Sequence, residues 1–187
     1  MNLTELNNII SNCRKCDLYK TRTNTVPGDG NENADIFFIG EAPGRNEDIQ
    51  GKPFVGRAGN VLDELLASIN LSRKDIFIGN ILKCRPPKNR NPYSSEIETC
   101  TPYLDKQIDI INPKVIVPLG NFATQYIFEK FNISKEKISK VHGKKFQIKT
   151  VTCEIIILPV FHPAVVTYNK NKMPMMKDDF QKILDCI

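Results

Sequence analysis

Four unbroken apolar runs constrain this chain more than any other feature: "ADIFFIG" (34–40), "DIFIGNIL" (75–82), "KVIVPLG" (114–120) and "EIIILPVF" (154–161). A strand with one face in water alternates apolar and polar residues. A continuous run instead marks burial on both faces, as in a parallel sheet covered by helices on each side. Between the runs, Leu62, Leu65, Leu66 and Ile69 recur at helical spacing, as do Ile97, Cys100, Leu104, Ile108 and Ile111, with Ser95 and Glu98 predicting a capping box at that second helix's start. The alternation predicts an α/β three-layer sandwich with a central four-stranded parallel sheet flanked by helices. At 187 residues the chain reads as a single domain, 1–187, able to bury a core without disulfides. The Lys/Asn-rich pieces at 135–149 and 169–177 read as solvated loops or turns.

In such a sheet, ligands bind beyond the carboxyl ends of the strands. The first run ends in Gly40-Glu41-Ala42-Pro43-Gly44, the second in Gly79-Asn80, the third in Gly120-Asn121 and the fourth in Phe161-His162-Pro163. Each could be bland by itself: a tight turn, a capping asparagine, a structural histidine. Their shared position at the strand ends predicts one pocket. The glycines match neither the dinucleotide pattern G-x-G-x-x-G nor a P-loop, which needs Gly-Lys-Ser/Thr. A net charge of +5 suits an anionic partner without separating nucleic acid from nucleotide.

"MNLTELNNII" has neither a basic start nor a sustained apolar run, and no segment approaches membrane-spanning length, so a cytoplasmic protein with no membrane partner is expected. In that reducing compartment cysteines are read for metal or cluster binding rather than for disulfides. Cys13 and Cys16 form a close pair in "CRKC", while Cys84 and Cys100 are distant single residues, a spacing that suits a four-thiolate iron–sulfur cluster better than the two close pairs of a zinc ribbon. Cys153 and Cys186 read as ordinary apolar packing.

Together, "GEAPGRNEDIQGKPFVGRAG" (40–59), "IGNILKCRPPKNRNP" (78–92) and "FHPA" (161–164), with cysteines at 13, 16, 84 and 100, resemble the family 4 uracil-DNA glycosylases, the iron–sulfur branch of the uracil-DNA glycosylase superfamily. The resemblance implies a monofunctional enzyme of base excision repair that hydrolyses the N-glycosidic bond of deoxyuridine and leaves an abasic site. It implies a 4Fe-4S cluster on Cys13, Cys16, Cys84 and Cys100, uracil-containing DNA as the partner and a monomeric protein; it names no sliding clamp or replication partner. By resemblance, Phe54 stacks on uracil, Asn80 reads its edge, and His162 donates to O2, where charge accumulates as the base departs. The backbone around Gly40, Glu41 and Ala42 meets the uracil oxygens. Glu41 orients water or stabilises the sugar cation, with Asp48 as a competing carboxylate.

The same resemblance implies phosphate contacts from Arg85, Lys88 and Arg90. After "HPA", where the family often has apolar residues and then an arginine, Val165 or Val166 would fill the gap left by the flipped nucleotide and Tyr168, near the expected basic position, would stack nearby. The best-known branch excludes thymine with a tyrosine where this chain has Gly44, so Glu47 is expected to fill that space. Relatives that trap DNA covalently carry a histidine in the loop after the second strand, and "KCRPPKNRNP" has none, so turnover is expected. The rival is a noncatalytic cluster-bearing nucleic-acid-binding module, which would not need Phe54, Asn80 and His162 to converge.

Overall fold

The apolar runs become strands β2 (Ile36–Gly40), β3 (Ile76–Asn80), β4 (Val115–Pro118) and β6 (Glu154–Ile157), paired in parallel in the order β3-β2-β4-β6. The computed structural model describes residues 1–149 and 154–187, so Cys153 lies outside the described residues. Two further strands, β1 (Asp29–Gly30) and β5 (Phe146–Lys149), add antiparallel edges. The sheet is therefore six-stranded and mixed, in the order β1-β3-β2-β4-β6-β5, and not four-stranded and parallel.

The reason β5 escaped the sequence reading is compositional. Half-buried Phe146 and Ile148 alternate with exposed Gln147 and Lys149, a half-buried edge pattern set inside a lysine-rich stretch. The same stretch also holds the short helix α6 (Ile138–Val141), and the 169–177 segment runs into α8 (Met173–Leu184), so neither is simply loop.

The remaining helices are α1 (Leu3–Ser11), α2 (Arg45–Gln50), α3 (Arg57–Ala67), α4 (Ser94–Ile111), α5 (Gly120–Lys130) and α7 (Ala164–Tyr168). Because successive side chains of a strand point to opposite faces, each run feeds two cores. Phe37 and Ile39 pack with apolar residues of α1, α4 and α5 on one side; Ile36 and Phe38 pack with those of α3 and α8 on the other. Helix α4 starts two residues earlier than the Ser95–Glu98 box requires. The carboxylate that accepts from the capping backbone is Glu96, bonded by the Tyr93 N–H at 2.8 Å, while Glu98 is exposed.

The C-terminal helix is fastened to the sheet by a stacked pair, Phe38 and Phe180, with ring centroids 5.6 Å apart. Both rings are fully buried. Phe180→Ala is expected to cost about 3–5 kcal/mol, read as a lower urea midpoint at unchanged slope. A loss under about 1 kcal/mol would mean that α8 does not close this side of the core.

Candidate active site

At the carboxyl edge of the sheet, Gly40 and Asn80 are register partners on β2 and β3. The ladder continues one step past the strands, with the Ile81 and Leu82 N–H groups donating to the Gly40 and Glu41 carbonyls, both at 3.0 Å. A Cβ at Gly40 would fall on the Asn80 amide oxygen and within 2.8 Å of the Phe54 ring. Glycine here is a requirement of close approach.

These residues open onto a cleft of about 590 Å³ whose walls include Glu41, Ala42, Glu47, Phe54, Asn80, His162 and Tyr168. Four separate segments thus bring together Glu41, Ala42, Phe54, Asn80 and His162, with Gly40 beneath them. Phe54 looks exposed in the sequence but is buried, its ring stacked on His162 at 5.6 Å and 26°.

His162 accepts a hydrogen bond from the Ala164 N–H on Nδ1, 3.1 Å, so its proton sits on Nε2. Burial pushes its pKa down to about 4, with the Glu47 carboxylate opposing that shift. It is therefore a neutral donor at pH 7. Since the folded pKa lies below the unfolded value near 6.5, its contribution to stability is present above pH 6.5 and is lost as pH falls toward 4. Burial raises Glu41 above the ordinary carboxylate value, with no charged partner among the described residues.

The other two carboxylates of the first motif have different positions. Glu47 Oε1 accepts from the Val55 and Gly56 N–H groups at 3.0 and 2.9 Å, tying α2 to the loop that carries Phe54. Its Oε2 would stand 2.7 Å from a Cβ at Gly44, so the carboxylate occupies the space that Gly44 leaves open. Asp48 is buried and turned away, accepting from the Thr23 N–H at 2.9 Å. Glu41 lines the cleft and Asp48 does not.

The loop after β3 forms the rim. Asn89, Arg90 and Asn91 line the cleft, whereas Arg85 donates from Nε to Asn89 Oδ1 at 2.6 Å and Lys88 is exposed beside it. Arg90 makes a two-pronged pair with buried Glu96, 2.9 and 2.6 Å, and its guanidinium lies 3.7 Å over the Tyr93 ring. Past His162, Val165 packs partly buried against the core, and Tyr168 projects with 85% of its surface exposed. The rim asparagines and the Glu96 partner of Arg90 were missed in the sequence; the run "KNRN" was the available signal.

Cys13, Cys16, Cys84 and Cys100 line a second, smaller cavity between α1, the segment after it, the loop after β3 and α4. Cys84 Sγ accepts from Arg22 Nη1 at 3.1 Å and Cys100 Sγ from the Lys83 N–H at 3.3 Å. Burial raises the Cys16 and Cys84 thiols and pushes Cys100 up to about 12. Among the described residues, no group of three or more His, Cys, Asp or Glu side chains is close enough to hold a single metal ion. Also among them, no helix is long and apolar enough to cross a membrane.

A mixed sheet whose parallel strands end at a polar cleft walled by the stacked Phe54 and His162 rings places that cleft where α/β proteins bind ligands. The family profile described as the Uracil DNA glycosylase superfamily matches residues 27–186. A type-4 uracil-DNA glycosylase of Archaeoglobus fulgidus is 51% identical over 174 residues, covering 93% of this chain and 87% of that protein. Proteins of the same description from Sulfurisphaera tokodaii and Thermotoga maritima are 48% and 42% identical, covering 97% and 87% of this chain and 83% and 81% of their own lengths. The chain belongs to the uracil-DNA glycosylase superfamily, in its type-4 branch.

The neutral Nε2–H state of His162 is directly measurable. In ¹⁵N-edited NMR of the imidazole, His162 is expected to keep one protonated nitrogen from pH 8 to pH 5.5. Titration with a midpoint near 6.5 would contradict both the burial and the tautomer.

Proposed function

We infer that this cleft excises uracil from DNA, by hydrolysis of the bond between base and deoxyribose. The observation that carries the reading is the convergence of Phe54, Asn80 and His162, from three distant segments, on one cleft with the His162 proton on Nε2. A binding module without chemistry needs no such convergence.

The chemistry follows from those groups. A base can reach the cleft only by leaving the stack, at a loss of a few kcal/mol. Stacking on Phe54 returns about 1–3 kcal/mol of it. The Asn80 amide can accept from uracil N3–H and donate to O4, and cytosine offers the opposite pattern at those positions. As the glycosidic bond breaks, electrons flow into the ring and charge gathers on O2. A neutral Nε2–H donor at His162 stabilises that charge, and losing such a fixed donor typically lowers the rate about 10²–10³-fold. Glu41 is the carboxylate positioned to orient the attacking water or to face the sugar cation.

At the rim, exposed Lys88 and nearby Arg85 are the phosphate contacts we propose, while Arg90, paired with Glu96, serves as a strut. Tyr168, exposed beside the cleft, is our candidate to stack near the flipped nucleotide, while Val165, partly buried against the core, stays our candidate to fill the space the base vacates. Glu47 is our candidate for excluding the thymine methyl, because its carboxylate fills the place beside Gly44.

The type-4 branch implies an iron–sulfur cluster, and the donor set fits one. The four thiols share a cavity, with Arg22 and the Lys83 N–H already donating to sulfur. Cys13, Cys16, Cys84 and Cys100 would hold the cluster. It would supply cross-linking of the amino-terminal segment to the rim loop, since hydrolysis moves no electrons.

One comparison tests the recognition scheme: excision from duplexes carrying U, C or T at one position, scored as alkali-labile abasic sites. The protein is expected to cut only U. Asn80→Asp should lose most U cleavage and gain measurable C cleavage, and Glu47→Ala should admit T while still cutting U. Unchanged U rates in Asn80→Asp would remove Asn80 from the base edge, and T-containing DNA left intact by Glu47→Ala would remove Glu47 as the gate.

For the cluster, anaerobically purified protein should be brown with about four irons per chain, and Cys84→Ser should lose colour and thermal stability together. Colourless native protein with stoichiometric zinc, grown with ample iron, would overturn it.

A further inference from the structure

Phe54 has φ of +52°, a left-handed conformation that a bulky aromatic residue rarely adopts without being held there. Three contacts hold it, and the main one comes from a residue outside the cleft. Arg73, on the loop between α3 and β3, donates from Nη1 to the Pro53 carbonyl at 3.1 Å and from Nη2 to the Phe54 carbonyl. Its Nε is occupied by Asp63 Oδ1 at 2.7 Å, which fixes the orientation of the guanidinium. Gly59 makes the third contact possible: a Cβ there would overlap the Phe54 carbonyl oxygen and lie 3.2 Å from Arg73 Nη2.

The planar fork of the guanidinium matters here. Two neighbouring carbonyls are drawn to one side of the chain, and the Phe54 ring is turned to the other, where it stacks on His162 and covers Gly40. A lysine in the same place has one point of donation and no fork.

We propose that Arg73 is a positioning residue for base recognition, which holds the backbone of Phe54 so that its ring stands as the stacking wall of the cleft. The inference rests on the uracil-excision reading. The alternative is that Arg73 merely staples the 53–54 loop to α3 through Asp63, with no bearing on the ring.

A double-mutant cycle separates the two. Excision of uracil is measured as kcat/KM for the unmodified protein, Arg73→Ala, Phe54→Ala and the double variant, with thermal melting in parallel. If Arg73 acts through the ring, its loss lowers kcat/KM on the order of 10²-fold when Phe54 is present. In the Phe54→Ala background the same change has an effect within about twofold, because no ring remains to misplace. Equal losses in both backgrounds would overturn the proposal and leave only the staple. Should Arg73→Ala fail to fold, Arg73→Lys, which keeps the charge and can still reach Asp63, is put through the same cycle.

A second readout does not depend on activity. The Phe54 ring protons, shifted by the stacked His162 imidazole, are expected to move toward ordinary values in Arg73→Lys. Unmoved ring resonances would overturn the proposal even if excision fell. A protein that leaves uracil-containing DNA intact would overturn the functional reading instead, with the ring shifts still deciding the role of Arg73.

Discussion

The pairing of Gly40 with Asn80 across the neighbouring strands β2 and β3 is the constraint on which the rest of the site depends. With no side chain at 40, the Asn80 amide and the Phe54 ring can close over the strand end from opposite directions. Any Cβ at that position would separate them. The cleft is then completed by groups that need only reach this point: Glu41 from the next residue of the first loop, and His162 from the end of the last parallel strand. A buried sheet fixes the strand ends to within the tolerance of its hydrogen bonds, which is the rigidity a recognition site requires.

Electrostatics then follow from burial. His162 is desolvated enough to remain neutral, and one backbone bond, from the Ala164 N–H, decides which ring nitrogen carries the proton. Glu41 is raised by the same desolvation. A neutral donor and a desolvated carboxyl group therefore face one volume. That is a suitable division of labour for a reaction in which a base leaves as an anion and a sugar becomes transiently cationic.

Much of this was legible in the sequence because it follows from patterns with a physical cause. The continuous runs gave away doubly buried strands, and strand-end chemistry gave away the cleft. What was not legible has equally physical reasons. The edge strand β5 lay in a lysine-rich stretch whose two inward residues, Phe146 and Ile148, are too few to outweigh composition. The start of α4 was misplaced by two residues because Glu96, and not Glu98, accepts from the capping backbone and pairs with Arg90, a contact invisible to local pattern. Arg90 was read as a phosphate contact, and its pairing with Glu96 is likewise a contact that no local pattern shows. Arg73 gave no signal at all: its role comes from the unusual backbone of Phe54, and backbone conformation 19 residues away is not written in a motif.

The central claim is that one cleft at the strand ends receives the uracil ring. A crystal structure of the protein soaked with free uracil tests it most directly. The account predicts the ring lying against Phe54, with the Asn80 amide at N3 and O4 and His162 Nε2 within hydrogen-bond distance of O2. Uracil bound elsewhere, or seated in the cleft with O2 turned away from His162, would contradict it.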